Sequence, residues 1–262
     1  YGGQNDIQAK VFRHVSAAFA EDPLRLLRIA RFAARFPTFT IAAETQEALR
    51  AIVQSGELSA LSLERVWQEL DRGMRSADPL RMVEVLLETG AAEQFLPQQL
   101  IAVCKNSQLK NQLARNLDLL AANKAADVDS VCAVLLADLS EDAIRQWSET
   151  TRMPHGTRDF AELFSVLKKR VTQQGYSTGD ILAWFNRADA WRKPERAEKL
   201  IALAGILGFH IKRIRSALAA ALAIDSQTVI QRLSAAEQQQ GERIRSAIDA
   251  ARLQAVESVT AT

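Results

Sequence analysis

An all-α fold, an elongated run of many short helices, is predicted by three observations. Apolar residues make up 48% of the 262-residue chain while aromatics stand at only 6%. Ala, Leu, Arg and Gln are abundant, and these residues lose little freedom in a helix. β-branched runs of strand length are nearly absent, so a sheet has little to form from.

The elements follow from their punctuation. Residues 1–20 read as an irregular lead-in, with Gly2-Gly3 and Asn5-Asp6 as turn signals. Asp22 is a good N-cap, Pro23 suits the first helical position, and Glu21 adds negative charge where the helix dipole favours it. That first helix runs to about Arg35 and is ended by Pro37. Further helices are expected over 44–53, closed by Ser55-Gly56, over 63–74, and over 79–87, closed by Thr89-Gly90. The middle predicts helices at 108–122, 128–136, 141–150 and 157–173, separated by Gly175 and Ser177-Thr178-Gly179 from one at 180–190. Pro194 then opens 195–207, followed by 211–223, 226–237 and 241–256. No period of 30–45 residues recurs, so a regular solenoid is not expected.

Several classes drop out. Cys104 and Cys132 have no metal-ligand spacing, which argues against a disulfide framework or a zinc site. No apolar stretch approaches the roughly 18 residues of a membrane span, and no signal segment opens the chain, so a cytoplasmic protein is expected. The missing initiator Met points to a piece of something longer. The net charge is only +2, yet Arg152 to Arg215 holds 13 Lys or Arg against 6 Asp or Glu. A basic segment beside an acidic remainder fits an anionic partner, or merely a solvated helix face.

On the first helix, with Arg25 set at zero, Arg28 falls at about −60°, Arg35 at about −80° and Arg31 at about −120°. Leu26, Leu27, Ala30, Ala33 and Ala34 take the other side. Like charges at these spacings repel by a few tenths of a kcal/mol each, so the stripe asks for an anion or a set of acceptors. Pairing to nearby acids is the alternative, and Asp22 has its own as a simple helix cap.

From Arg13-His14-Val15 through Glu21-Asp22-Pro23-Leu24-Arg25 to Arg35-Phe36, the chain resembles the neck of bacterial CCA-adding tRNA nucleotidyltransferases, whose Glu-Asp-x-x-Arg signature Glu21, Asp22 and Arg25 match. Tyr1-Gly2-Gly3-Gln4-Asn5-Asp6-Ile7 resembles the segment leaving that family's catalytic head, and Glu64-Arg65-Val66-Trp67-Gln68-Glu69 its next neck motif. Asp189-Ala190-Trp191-Arg192-Lys193-Pro194-Glu195-Arg196 is similar to a stretch on its tail side. The resemblance implies a lead-in at 1–20, a nucleotide-selecting neck at 21–75, a body at 76–165 and a tRNA-binding tail at 166–262, with the catalytic α/β head absent.

It implies, further, that Asp22 and Arg25 present their edges to the base of CTP or ATP as a protein template, with Arg28 contacting the nucleotide and Glu21 orienting the others. A carboxylate accepts from the exocyclic amino group that C and A share, where G and U place an acceptor. The family's Mg2+ ions sit on an Asp-x-Asp pair in the head. Asp127-Val128-Asp129 has that spelling but precedes a helix and reads as a cap, so no catalytic residue or metal ligand is expected here and the chain alone should be inactive. Many relatives carry a His-Asp phosphohydrolase domain. Here Ala137 stands before Asp138 where the histidine would be, which resembles the shorter subtype without that activity. For tRNA the expected contacts are Lys168, Lys169, Arg170, Arg192, Lys193, Lys212, Arg213 and Arg215, with Arg243, Arg245 and Arg252 behind them. The alternatives are a poly(A) polymerase relative and a stand-alone helical RNA-binding protein.

Overall fold

The computed structural model describes residues 2–172 and 176–260; Tyr1, Gln173 and Gly175, used above, lie outside them. The architecture is all-α as expected, with two short strands. It divides into two compact units, residues 1–162 and 163–262.

In the first unit the lead-in is more ordered than its composition implies. Helix α1 (Gly3–Gln8), strand β1 (Val11–Phe12) and a 3-10 turn (Ala17–Glu21) replace the expected irregular segment. β1 pairs in parallel with β2 (Thr40–Ile41), Val11 opposite Thr40 and Phe12 opposite Ile41. A two-residue ladder between distant segments leaves no periodic trace, so the sequence could not announce it. His14 completes the stitch, its backbone N–H donating to Thr45 Oγ1 at 3.0 Å.

Helix α2 (Leu24–Arg35) packs between α4 (Leu63–Met74) and α5 (Pro79–Thr89), as the contacts among these helices show. Its inner face is Leu26, Leu27, Ala30, Ala33 and Ala34, all essentially buried, and the alanines let its neighbours approach closely. Helix α3 (Ala43–Ser55) ends on Gly56 and α5 on Gly90, at φ 76° and 85°. Only glycine takes that left-handed cap without strain, which is why both stops were legible.

The middle corrects the sequence reading. Short helices α6 (Ala92–Phe95) and α7 (Gln98–Lys105) precede α8 (Ser107–Ala122) where nothing was predicted. Their one to two turns are too brief to show a period, and burial of Phe95, Leu100 and Ile101 holds them. Helices α9 (Val128–Leu135) and α10 (Glu141–Thr151) follow, and Trp147 Nε1 donates to the Phe95 carbonyl at 2.7 Å, tying α10 to α6. Both cysteines are buried, and desolvation pushes the Cys104 thiol up to about 11. Neither is a nucleophile.

Helix α11 (His155–Thr172) leads into the second unit, which holds α12 (Thr178–Arg187), α13 (Pro194–Ile206), α14 (Lys212–Leu222), α15 (Ser226–Gln231) and α16 (Gly241–Thr260). The helix expected over 226–237 stops at Gln231, and only a 3-10 turn at Glu237–Gln239 follows. Trp184 anchors this unit, fully buried, its Nε1 donating to the Leu163 carbonyl at 3.0 Å. Helix α16 packs on α14 and α12. Its Arg252 lies 3.8 Å from the Trp191 ring centroid, a cation over an aromatic face that fixes the last helix.

Candidate nucleic-acid interface

The turn into α2 is built by its own residues. Pro23 is already helical at φ −61°, while Asp22 is extended and its Oδ1 accepts from Leu24 N at 3.1 Å. Asp22 therefore caps the helix as expected. Arg65 from α4 approaches the same oxygen at 3.7 Å, a partner the sequence reading did not single out although it lies inside the second neck motif. The Asp22 side chain remains about a third exposed. Oδ1 is thus met by the helix start and an arginine, while Oδ2 has no partner among the described residues.

Arg25 reaches back over the 3-10 turn. Its Nη1 donates to the Ala18 carbonyl, and its guanidinium lies 5.8 Å from the Phe19 centroid. These contacts orient the fork, and its other N–H donors have no partner among the described residues. Arg28, one turn on, is exposed, as is Glu21. Asp22, Arg25 and Arg28 therefore line one end and one face of α2.

The rest of the stripe does something else. Arg31 is mostly buried, and its Nε donates to Glu69 Oε2 at 2.5 Å across the α2–α4 contact. Arg35 is exposed at the end of the helix. Beside the α2 face, Ile7, Phe12, Phe32, Phe36 and Phe39 line an apolar groove of about 910 Å³. A surface so rich in aromatic rings is characteristic of an interface rather than of a solvated flank.

In the second unit the predicted basic residues divide into two kinds. Arg170 pairs with Asp180 at 2.8 Å, Arg192 with Asp189 at 2.9 Å and Arg215 with Glu198 at 2.7 Å, so part of their charge is spent inside the fold. Lys169, Lys193 and Lys212 are exposed, Lys168 is half-buried, and Arg213 stacks 4.9 Å from the Tyr176 centroid. Arg170 and Arg213 thus gather at the start of α12, where Ser177 and Asp180 form a capping box. Arg192, Lys193 and Arg252 gather at its other end, about 14 Å away at the rise of a ten-residue helix.

The guanidinium of Arg170 and the donors of Ser177 hold the Asp180 carboxyl down at about 2. Its folded value lies below its unfolded one, so the bonds stabilise fully above about pH 4 and are lost as pH falls toward 2. Replacing Asp180 with Asn is expected to flatten the acid limb of a stability-versus-pH curve over that window. An unchanged limb in chemical denaturation would show the contact to be idle.

The described residues contain no group of three or more His, Cys, Asp or Glu able to hold a metal ion. Asp127 accepts from Ser130 N at 3.0 Å and caps α9, as the sequence reading expected, while Asp129 accepts from Thr157 Oγ1 at 2.7 Å. This pair does not fit the role of a magnesium site. Asp138 is exposed and Ala137 buried beside it.

A family model described as "Probable RNA and SrmB-binding site of polymerase A" matches residues 38–101. A multifunctional CCA protein of Janthinobacterium sp. (strain Marseille) is 35% identical over 294 aligned positions, covering 98% of this chain and 71% of the relative. One from Paraburkholderia phytofirmans is 37% identical over 297, with the same coverage. Both alignments are longer than the 262 residues here, so this chain lacks segments those relatives carry within the aligned region. Among solved structures, a CCA-adding enzyme in complex with ATP superposes with TM-score 0.61 at 17% identity, over 98% of this chain and 61% of that one. The Thermotoga maritima CCA-adding enzyme complexed with tRNA gives 0.57 at 15%, over 100% of this chain and 63% of that one. The chain therefore spans less than two thirds of those solved chains.

Proposed function

Since the chain belongs to the family of multifunctional CCA proteins, we propose that it is the base-selecting and tRNA-gripping portion of an enzyme that adds CMP and AMP to tRNA 3′ ends from CTP and ATP. The observation that carries the reading is the Asp22–Arg25 turn: a carboxylate with one free oxygen beside a guanidinium whose plane is fixed. Arg28 contacts the nucleotide and Glu21 orients the turn. Arg65, 3.7 Å from the Asp22 carboxylate, positions it.

Neck (21–75), body (76–165) and tail (166–262) carry over as working divisions. The Mg2+-dependent step is assigned to sequence outside this chain, since the described residues hold no group of three or more His, Cys, Asp or Glu and Asp127 is taken up in capping α9. The apolar groove beside α2 would then be covered by that remaining part of the protein. The basic clusters at the two ends of α12 grip tRNA through phosphate and shape, which a binder of every tRNA requires.

The test is tRNA binding by the chain itself, followed by fluorescence anisotropy across salt concentrations. Each neutralised phosphate contributes roughly 0.7–0.9 to the log–log slope, so a slope on the order of −3 to −5 is expected. Flat or absent binding would sink the grip. The family model named for polymerase A favours a second reading, extension of other RNAs, and equal affinity for unstructured RNA and tRNA would support it.

A further inference from the structure

A cleft of about 540 Å³ at the far end of α2 is lined by Arg31, Arg35, Arg72, Arg75, Ser76 and Ala77. Four guanidinium groups meet there. Glu69 is taken by Arg31 at 2.5 Å and shared with Arg72 at 3.6 Å, while Asp71 holds Arg75 at 2.9 Å. Asp71 dominates at Arg75, and Asp129 and Asp127 add attraction from further off. Arg35 stacks on Phe36 and forms no ion pair among the described residues. The Arg72 side chain is 59% exposed on a carboxylate already bound to another arginine.

Arginine in a last helical turn is partly explained by the dipole, and Arg35 and Arg72 occupy such turns. A half-charge at each helix end does not balance Arg35, which has no ion pair among the described residues, together with Arg72, which has only a share of Glu69. Neither side chain donates to an end carbonyl among the described residues. Planar forks that converge in this way match the oxygens of a phosphate.

We propose that the Arg35–Arg72–Arg75 cleft binds a phosphodiester group of the RNA, on the first unit and separate from the basic clusters of the second. The site rests on the reading of this chain as an RNA binder. It lies on the same helix as Arg25, about 15 Å further along its axis at 1.5 Å per residue, so a strand engaged at the base-selecting turn can continue to it. Phosphate is also the chemistry of a nucleoside triphosphate, and competition distinguishes the two sources.

The experiment compares the chain with Arg35→Ala, Arg72→Ala and the double variant, measuring tRNA binding against salt, with thermal unfolding as a fold control. Neither side chain carries the buried Arg31–Glu69 bond, so unfolding temperatures should hold. Each single change is expected to weaken binding several-fold and to reduce the salt slope by roughly 0.7–0.9, the double by about twice that. Lys212→Ala runs in parallel as a second-unit control. If the wild-type chain binds tRNA and Lys212→Ala weakens it while the double variant binds with an unchanged slope, the cleft is not an RNA site and the wider reading stands. If the wild-type chain does not bind tRNA, both fall. Binding of inorganic tripolyphosphate to wild type that is lost in the double variant, with tRNA affinity and salt slope the same in both, would assign the cleft to free triphosphate and overturn the RNA assignment.

Discussion

In the full-length protein, Asp22→Ala is expected to lower discrimination of CTP and ATP against GTP and UTP by one to two orders of magnitude in kcat/KM. In the proposed function the free carboxylate oxygen accepts from an amino group that C and A carry and G and U lack at that edge, and one well-placed pair of this kind contributes about 1–3 kcal/mol of discrimination. Loss of the cap on Leu24 N would add about 1 kcal/mol of destabilisation, seen as a modest fall in Tm rather than in selectivity. Asp22→Asn separates the two effects, since the amide keeps an acceptor for the cap and adds donors toward the base. Arg65→Ala should give a weaker form of the same defect, because it frees the carboxylate without removing it. Unchanged discrimination in Asp22→Ala, with the protein folded, would remove the turn from base selection.

The start of α2, its inner face and its arginine stripe were all legible, because a cap, a proline and a 3.6-residue period are local signals. What the stripe does was not. Arg31 and Arg28 look alike in sequence, yet one is bonded to Glu69, 38 residues away, and the other faces solvent. The same blindness hid Arg65 beside Asp22, although its motif was noticed. In the second unit the surplus of positive charge was visible, but not that Asp180, Asp189 and Glu198 each take one of the predicted tRNA contacts. The Asp189–Arg196 stretch, similar in sequence to one on the family's tail side, folds as a joint. Asp189 is left-handed at φ 54°, Arg196 donates to the Ala188 carbonyl, and Trp191 seats Arg252. A recognisable motif in this region marks packing as much as binding.

Glu69→Ala is expected to produce the largest stability loss of any single change to the stripe. Its side chain is 7% exposed and that of Arg31 12%, so removing the carboxylate strands a guanidinium between α2 and α4. Breaking such a pair costs about 3–5 kcal/mol, a fall in Tm on the order of 10 °C for a chain of this size. The double variant Arg31→Met with Glu69→Leu should recover most of that loss, since apolar residues of similar volume need no partner in a core already lined by Leu27, Leu70 and Met74. Calorimetry decides the point: a Tm for Glu69→Ala within about 2 °C of wild type would mean that water reaches the pair. Base selection then separates the arginines by function. The double variant should discriminate among nucleotides as wild type does, because Arg31 is bonded to Glu69 of α4, whereas the proposed base contacts are Arg25 and Arg28. A defect in discrimination without a defect in stability would instead place Arg31 among the residues that hold the template turn.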